Sequence, residues 1–98
     1  MKLEYHEEKL SQEAKDYHRA MKSLIEELEA VDWYNQRVEA AQDDELREIL
    51  AHNRDEEKEH AAMLLEWVRR HDEAFSAELE DYLFTEGYIP DLEEGEED

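Results

Sequence analysis

The stretch LREILAHNRDEEKEHAAMLLEWVRRH, Leu46 to His71, decides the fold. Stepping along it by four and three residues in turn gives Leu46, Leu50, Asn53, Glu57, His60, Leu64, Trp67 and His71. That 3.5-residue repeat marks a helix packed lengthwise on another helix. Ile49, Ala61, Met63, Leu65 and Val68 flank the seam. Its middle is polar, because Asn53, Glu57 and His60 interrupt an apolar line between Leu50 and Leu64. A carboxylate on such a seam is costly unless a charge compensates it. Fold signal and chemical signal therefore share one helix.

On the N-terminal side the sequence predicts a first helix from about Glu4 to about Ala40. Its apolar positions are Leu10, Ala14, Tyr17, Met21, Leu24, Leu28 and Val31, then Val38 one heptad later. At 1.5 Å per residue this helix would be on the order of 50 Å long. Ala41-Gln42-Asp43-Asp44 breaks the pattern, and Asp43 is a good N-cap for a second helix from about Asp44 to Arg70. Asp44 and Glu45 put acid in its first turn, where the dipole favours it. A shorter third helix, about Asp72 to Phe84, carries Phe75, Leu79, Tyr82 and Leu83 at helical spacing. Both glycines (Gly87, Gly95) and the single Pro90 fall after residue 86. Asp91 to Asp98 holds six acids in eight residues. Residues 1–86 thus read as one helical domain and 87–98 as an acidic, disordered tail.

The chain has 98 residues, 11 Lys plus Arg against 31 Asp plus Glu, and a formal net charge of -20. Such a balance argues against nucleic-acid backbones and anionic lipid surfaces as partners. It suits cations, and metal ions are the simplest of those. With no cysteine there is no disulfide framework and no thiolate metal site. The opening MKLEYHEEKL lacks a signal-peptide core, and no stretch approaches the roughly 20 apolar residues of a membrane span. The expectation is a soluble cytoplasmic protein. Its class is all-α, an antiparallel two-helix hairpin with a short C-terminal helix. One hairpin buries too little for a stable core, so a second copy is expected to complete a four-helix bundle.

Glu57-Lys58-Glu59-His60 contains Glu-x-x-His, an i, i+3 pair that points both side chains to one side of a helix. In carboxylate-bridged di-iron bundles two helices each give one Glu and the other two each give a Glu-x-x-His. Helix 1 offers the matching acid in Glu26-Glu27-Leu28-Glu29. At 100° per residue Glu27 lies about 60° from Leu24 and about 40° from Val31, within the apolar arc. One chain then supplies half a ligand set, and two chains supply the whole. Carboxylates and imidazoles without thiolate suit Fe(II), Mn(II) or Zn(II). Tyr34, one heptad after Glu27, falls beside this position, and Trp33 falls on the Glu26/Glu29 flank. The plainer reading of Glu57 and His60 is a polar layer that sets helix register. For Glu26 and Glu29 it is a solvated acidic face, and for Trp33 and Tyr34 it is interface packing. His52 and Glu56, spaced i, i+4 but off the seam, read as a surface pair. His6 and His18 share no acidic constellation, and His71 suits the C-terminal dipole of helix 2.

EELEAVDWYNQRVEA (Glu26 to Ala40), LAHNRDEEKEHAAMLLEWVRR (Leu50 to Arg70) and DYLFTEG (Asp81 to Gly87) closely resemble the encapsulated ferritins. These are ferritin-like proteins held as cargo inside encapsulin shells. The resemblance implies a two-helix subunit whose dimer rebuilds a four-helix ferroxidase centre, with dimers arranged in a ring, typically a decamer. It implies Glu27, Glu57 and His60 from both subunits as ligands to two irons, with Tyr34 as a catalytic neighbour. Glu26, Glu29 and Trp33 would form a secondary site on the approach path, taking calcium or another divalent ion. The implied activity is oxidation of Fe(II) by dioxygen for mineral storage in an encapsulin nanocompartment of a bacterial or archaeal cytoplasm. Family members usually end in a shell-docking peptide with apolar residues, whereas this chain ends in EEGEED. Zn(II), redox-inert and well suited to the same ligands, is expected to inhibit.

Two other functions fit the residues. A non-catalytic helical oligomer would use the metal as a cross-link between chains. A peroxidase-like di-iron protein would share the ligands, although that class often adds a Cys₄ module that this chain lacks.

Overall fold

The computed structural model describes residues 5–93. Three helices appear in order, α1 (Gln12–Ala40), α2 (Asp44–Arg70) and α3 (Glu73–Tyr82), followed by a 3₁₀ turn at Ile89–Leu92. No strand occurs among the described residues.

α1 begins at Gln12, eight residues later than the seam pattern suggests, because Ser11 stops it. The Ser11 hydroxyl accepts from the Ala14 amide at 3.0 Å, satisfying an N-terminal donor that further helix would have to satisfy instead. Leu10 therefore lies outside the helix, and α1 has 29 residues, about 44 Å at 1.5 Å each. α2 has the expected bounds. Asp43 caps it by accepting from the Leu46 amide at 2.9 Å, and the Arg47 guanidinium donates to the Ala41 carbonyl across the turn. The connection between α1 and α2 is thus three residues long and pinned at both ends.

The chain divides into two compact units, one ending at Val68 and one beginning at Arg69. In the first, Ala20 and Leu24 of α1 and Ala61 and Val68 of α2 are buried. Tyr17, Val31 and Val38 on α1, and Leu50, Leu64 and Trp67 on α2, are half-buried. Leu28 and Leu46, expected on the seam, are instead 55% and 47% exposed. The arc that α2 covers is centred on Leu24, Val31 and Val38, which lie within about 40° of one another round α1. Leu28 falls on one side of that arc and Glu27 on the other. The hairpin shields the acid and leaves the leucine out.

The second unit holds α3 and the 3₁₀ turn. Asp72 caps α3 by accepting from the Phe75 amide at 3.0 Å, and the helix ends at Tyr82, short of the expected Phe84. Phe84 takes a left-handed backbone conformation with φ 59° and is fully exposed. Ile89–Leu92 is ordered as a 3₁₀ turn within the segment expected to be disordered, with Pro90 in its first positions, where a missing amide costs nothing. The rest of that expected tail, residues 94–98, lies outside the described residues. No described helix is long and apolar enough to cross a membrane.

Candidate metal centre

Glu27 on α1 and Glu57 and His60 on α2 meet midway along the hairpin. One ligand atom from each lies within 4.8 Å of the other two, and no other such cluster of three occurs among the described residues. His60 Nδ1 stands 3.6 Å from Glu27 Oε2 and 3.6 Å from Glu57 Oε2. Both gaps exceed hydrogen-bonding distance. They match two donors held by one cation, since ligands each about 2.1 Å from a metal sit up to about 4.2 Å apart. The Glu27 and Glu57 side chains are only 25% and 24% exposed. Glu27 Oε2 is shielded from solvent and accepts no hydrogen bond. A buried carboxylate oxygen without a donor carries a desolvation cost that a cation would remove. His60, at 44% exposure, lies at the margin where an open groove of about 620 Å³ begins. Met63 and Trp67 line the groove on α2, with Ala20 and Ser23 opposite them on α1.

Residues 2–86 match the family described as EncFtn-like. The chain belongs to that family. It is 62% identical over 86 residues to the "Encapsulated ferritin-like protein" of Rhodospirillum rubrum, which covers 88% of this chain. The chain spans 61% of the length of that relative. It is 52% identical over 93 residues to the "Ferritin-like protein" of Thermotoga maritima, covering 93% of this chain and 82% of that one. A crystal structure of a protein from Nitrosomonas europaea superposes with a TM-score of 0.85 at 68% identity, covering 87% of this chain and 96% of that one.

The remaining residues singled out in this EncFtn-like chain separate by face. Tyr34 is half-buried and Trp33 is 53% exposed. Glu26 and Glu29 are exposed, and no third ligand joins them among the described residues. His52 Nε2 and Glu56 Oε1 face each other at 3.5 Å on the exposed surface, the arrangement their spacing suggests. His18 meets the Tyr5 ring edge-on at 4.9 Å.

Two arrangements escaped the sequence reading. The Arg37 guanidinium sits over both Trp33 and Tyr34, 5.7 and 5.3 Å from the ring centroids. Its spacing of four and three residues from them was the available signal. Arg54 on α2 donates to the Asn35 side-chain oxygen on α1 at 3.1 Å. No periodicity announces that bond. Arg54 Nε also donates to Asp55 at 3.1 Å, and this bond, with Lys58 at 3.4 Å, holds the Asp55 carboxyl below the usual carboxylate range.

Proposed function

We propose that this protein is a ferroxidase, oxidising Fe(II) with dioxygen at a two-iron centre shared by two chains. The observation that carries the reading is the shielded, donorless Glu27 oxygen facing His60 beside Glu57. Membership of the EncFtn-like family supports it, as does the relatives' description as ferritin-like.

A single chain offers two carboxylates and one imidazole, which is half a di-iron ligand set. Ile25, Leu28, Leu46, Ile49 and Met63 are each about half exposed or more on the hairpin. Covering one such side chain with a second copy contributes roughly 1 kcal/mol. Pairing two chains in an antiparallel four-helix bundle brings the half-sites together. Four carboxylates then face one another, and two Fe(II) ions cancel their charge. The substrate irons each give one electron, and dioxygen takes two electrons and two protons to become hydrogen peroxide. Glu27 and Glu57 hold the substrate in the deprotonated form. His60 supplies a neutral nitrogen, so the ligand charge stays matched to two divalent ions. Glu57 is the ligand we assign to bridge the pair. Tyr34 flanks the centre, and Glu26, Glu29 and Trp33 form an approach site for divalent ions. The pairs associate further into a ring, a decamer by family pattern. That ring is housed in an encapsulin compartment, where the oxidised iron mineralises.

Anaerobic addition of Fe(II) followed by air tests the reading. Oxidation above the uncatalysed rate, lost in Glu57→Ala, is the expected result. Binding without turnover would instead mark a metal cross-linked scaffold.

A further inference from the structure

The bond between Arg54 and Asn35 crosses from one helix of the hairpin to the other, and its position relative to the metal ligands is informative. Round α2, Arg54 lies about 60° from Glu57 and about 120° from His60, with Leu50, Ala61, Leu64 and Val68 on the arc between Arg54 and His60. Round α1, Asn35 lies about 80° from Glu27, with Leu24, Val31 and Val38 between them. The polar bond occupies one margin of the apolar seam, Glu27 and His60 occupy the other, and Glu57 lies on the arc between them. Arg54 is 22% exposed at its side chain, against 57% for Lys58 one turn on, and its bond to the exposed Asn35 lies at the surface of the hairpin.

The three-residue turn fixes how far α2 can slide along α1, but an apolar seam resists rotation of a helix about its own axis only weakly. A helix with its side chains is about 10–12 Å across, so a 10° rotation moves a ligand atom by about 1 Å. Metal sites tolerate far less than that. A directional bond at the margin opposite Glu27 and His60 opposes such rotation.

We propose that Arg54 and Asn35 are a positioning pair that fixes the rotational setting of α2, and so keeps Glu57 and His60 aimed at Glu27. The inference rests on the trio being the metal site of the proposed function. It assigns neither residue any contact with metal.

The probe is Co(II), redox-silent under these conditions and reporting ligand geometry through its visible absorption. In the 98-residue chain, Arg54→Met and Asn35→Leu should each weaken Co(II) binding by about tenfold, the effect typical of groups that orient metal ligands. Both should alter the shape of the absorption band. The double variant should lose no more than either single variant, because the two residues act as one unit. Arg54→Lys, which keeps a donor within reach of the Asn35 oxygen, should recover most of the affinity. Helix content and Tm should stay close to wild type throughout, and Lys58→Gln should leave Co(II) binding unchanged. Wild-type affinity in both single variants, additive losses in the double variant, or loss that merely tracks helix content would each overturn the positioning role. Co(II) binding that depends on Glu57 but ignores Arg54 would overturn this inference alone. Co(II) binding indifferent to Glu57→Ala would remove the proposed site along with it.

Discussion

Three acidic residues lie within one turn of α1 and meet opposite fates. Glu26 and Glu29 project from the open side, where water satisfies them. Glu27, between them, is drawn against α2 with one oxygen shielded and undonated. In a chain with 31 acidic residues, composition cannot mark which carboxylates bind metal. What separates them is the state without metal. A solvated carboxylate gives up good hydration to bind a cation, whereas Glu27 has already lost that hydration and has no donor in its place. A bound cation would relieve a cost at Glu27 that does not exist at Glu26 or Glu29. The same logic distinguishes Glu57, which is 24% exposed, from Glu56, which is 49% exposed at its side chain.

Exchanging the members of that comparison should have unequal effects. Glu27→Ala, Glu57→Ala and His60→Ala should each cut Fe(II) oxidation by more than about a hundredfold, exceeding the loss typical of groups that only orient ligands. Helix content should survive, because removing a carboxylate from a seam also removes its burial cost. Stopped-flow absorbance after oxygenation and far-ultraviolet circular dichroism check the two halves.

Acid should act next. The ligands bind metal only when deprotonated, so protonation competes and metal loading falls as the pH falls. Equilibrium dialysis across a pH series reads this directly. At fixed pH, Zn(II) should compete for the same positions and slow oxidation, since it occupies them without changing oxidation state.

Metal should also shift assembly. Ligands shared between chains make the metal a cross-link that favours the paired state by mass action. Native mass measured with and without chelator should show larger species when Fe(II) is present. An unchanged distribution would confine the linkage to the site itself.

The smallest effects belong to the open side. Glu26→Ala, Glu29→Ala or Trp33→Ala should change the oxidation rate a few-fold and leave the number of tightly held metals intact. Loss of the metal pair in Glu29→Ala would erase the contrast between the two faces.

The hairpin was legible because its seam repeats. The 3.5-residue step from Leu46 found α2, and the Asp43 cap gave its start. The same step placed Glu57 and His60 on the packed face and Glu27 within reach of it. The start of α1 was less legible, because helix-forming residues continue upstream of Ser11 and only the cap hydrogen bond reveals the stop. Hydrophobicity alone puts Leu28 on the seam, but geometry favours the arc through Val31 and Val38, which admits Glu27 instead. The Ile89–Leu92 turn was hidden by the acid around it. Arg54 with Asn35 is invisible to hydrophobic patterning because a polar contact between helices leaves no period behind, and Arg37 over its two rings is marked only by its helical spacing of four and three residues.

How many metals the paired chains hold, and where, tests the shared two-iron centre most directly. Crystals grown with Fe(II), with anomalous scattering collected at the iron edge and native mass recorded on the same sample, measure both. Two irons per pair of chains, at the roughly 3.5–4 Å separation typical of two-metal sites and held by Glu27, Glu57 and His60 of each chain, is the predicted result. One metal per chain at separate surface positions, with Glu27 still carrying an undonated oxygen, would contradict it.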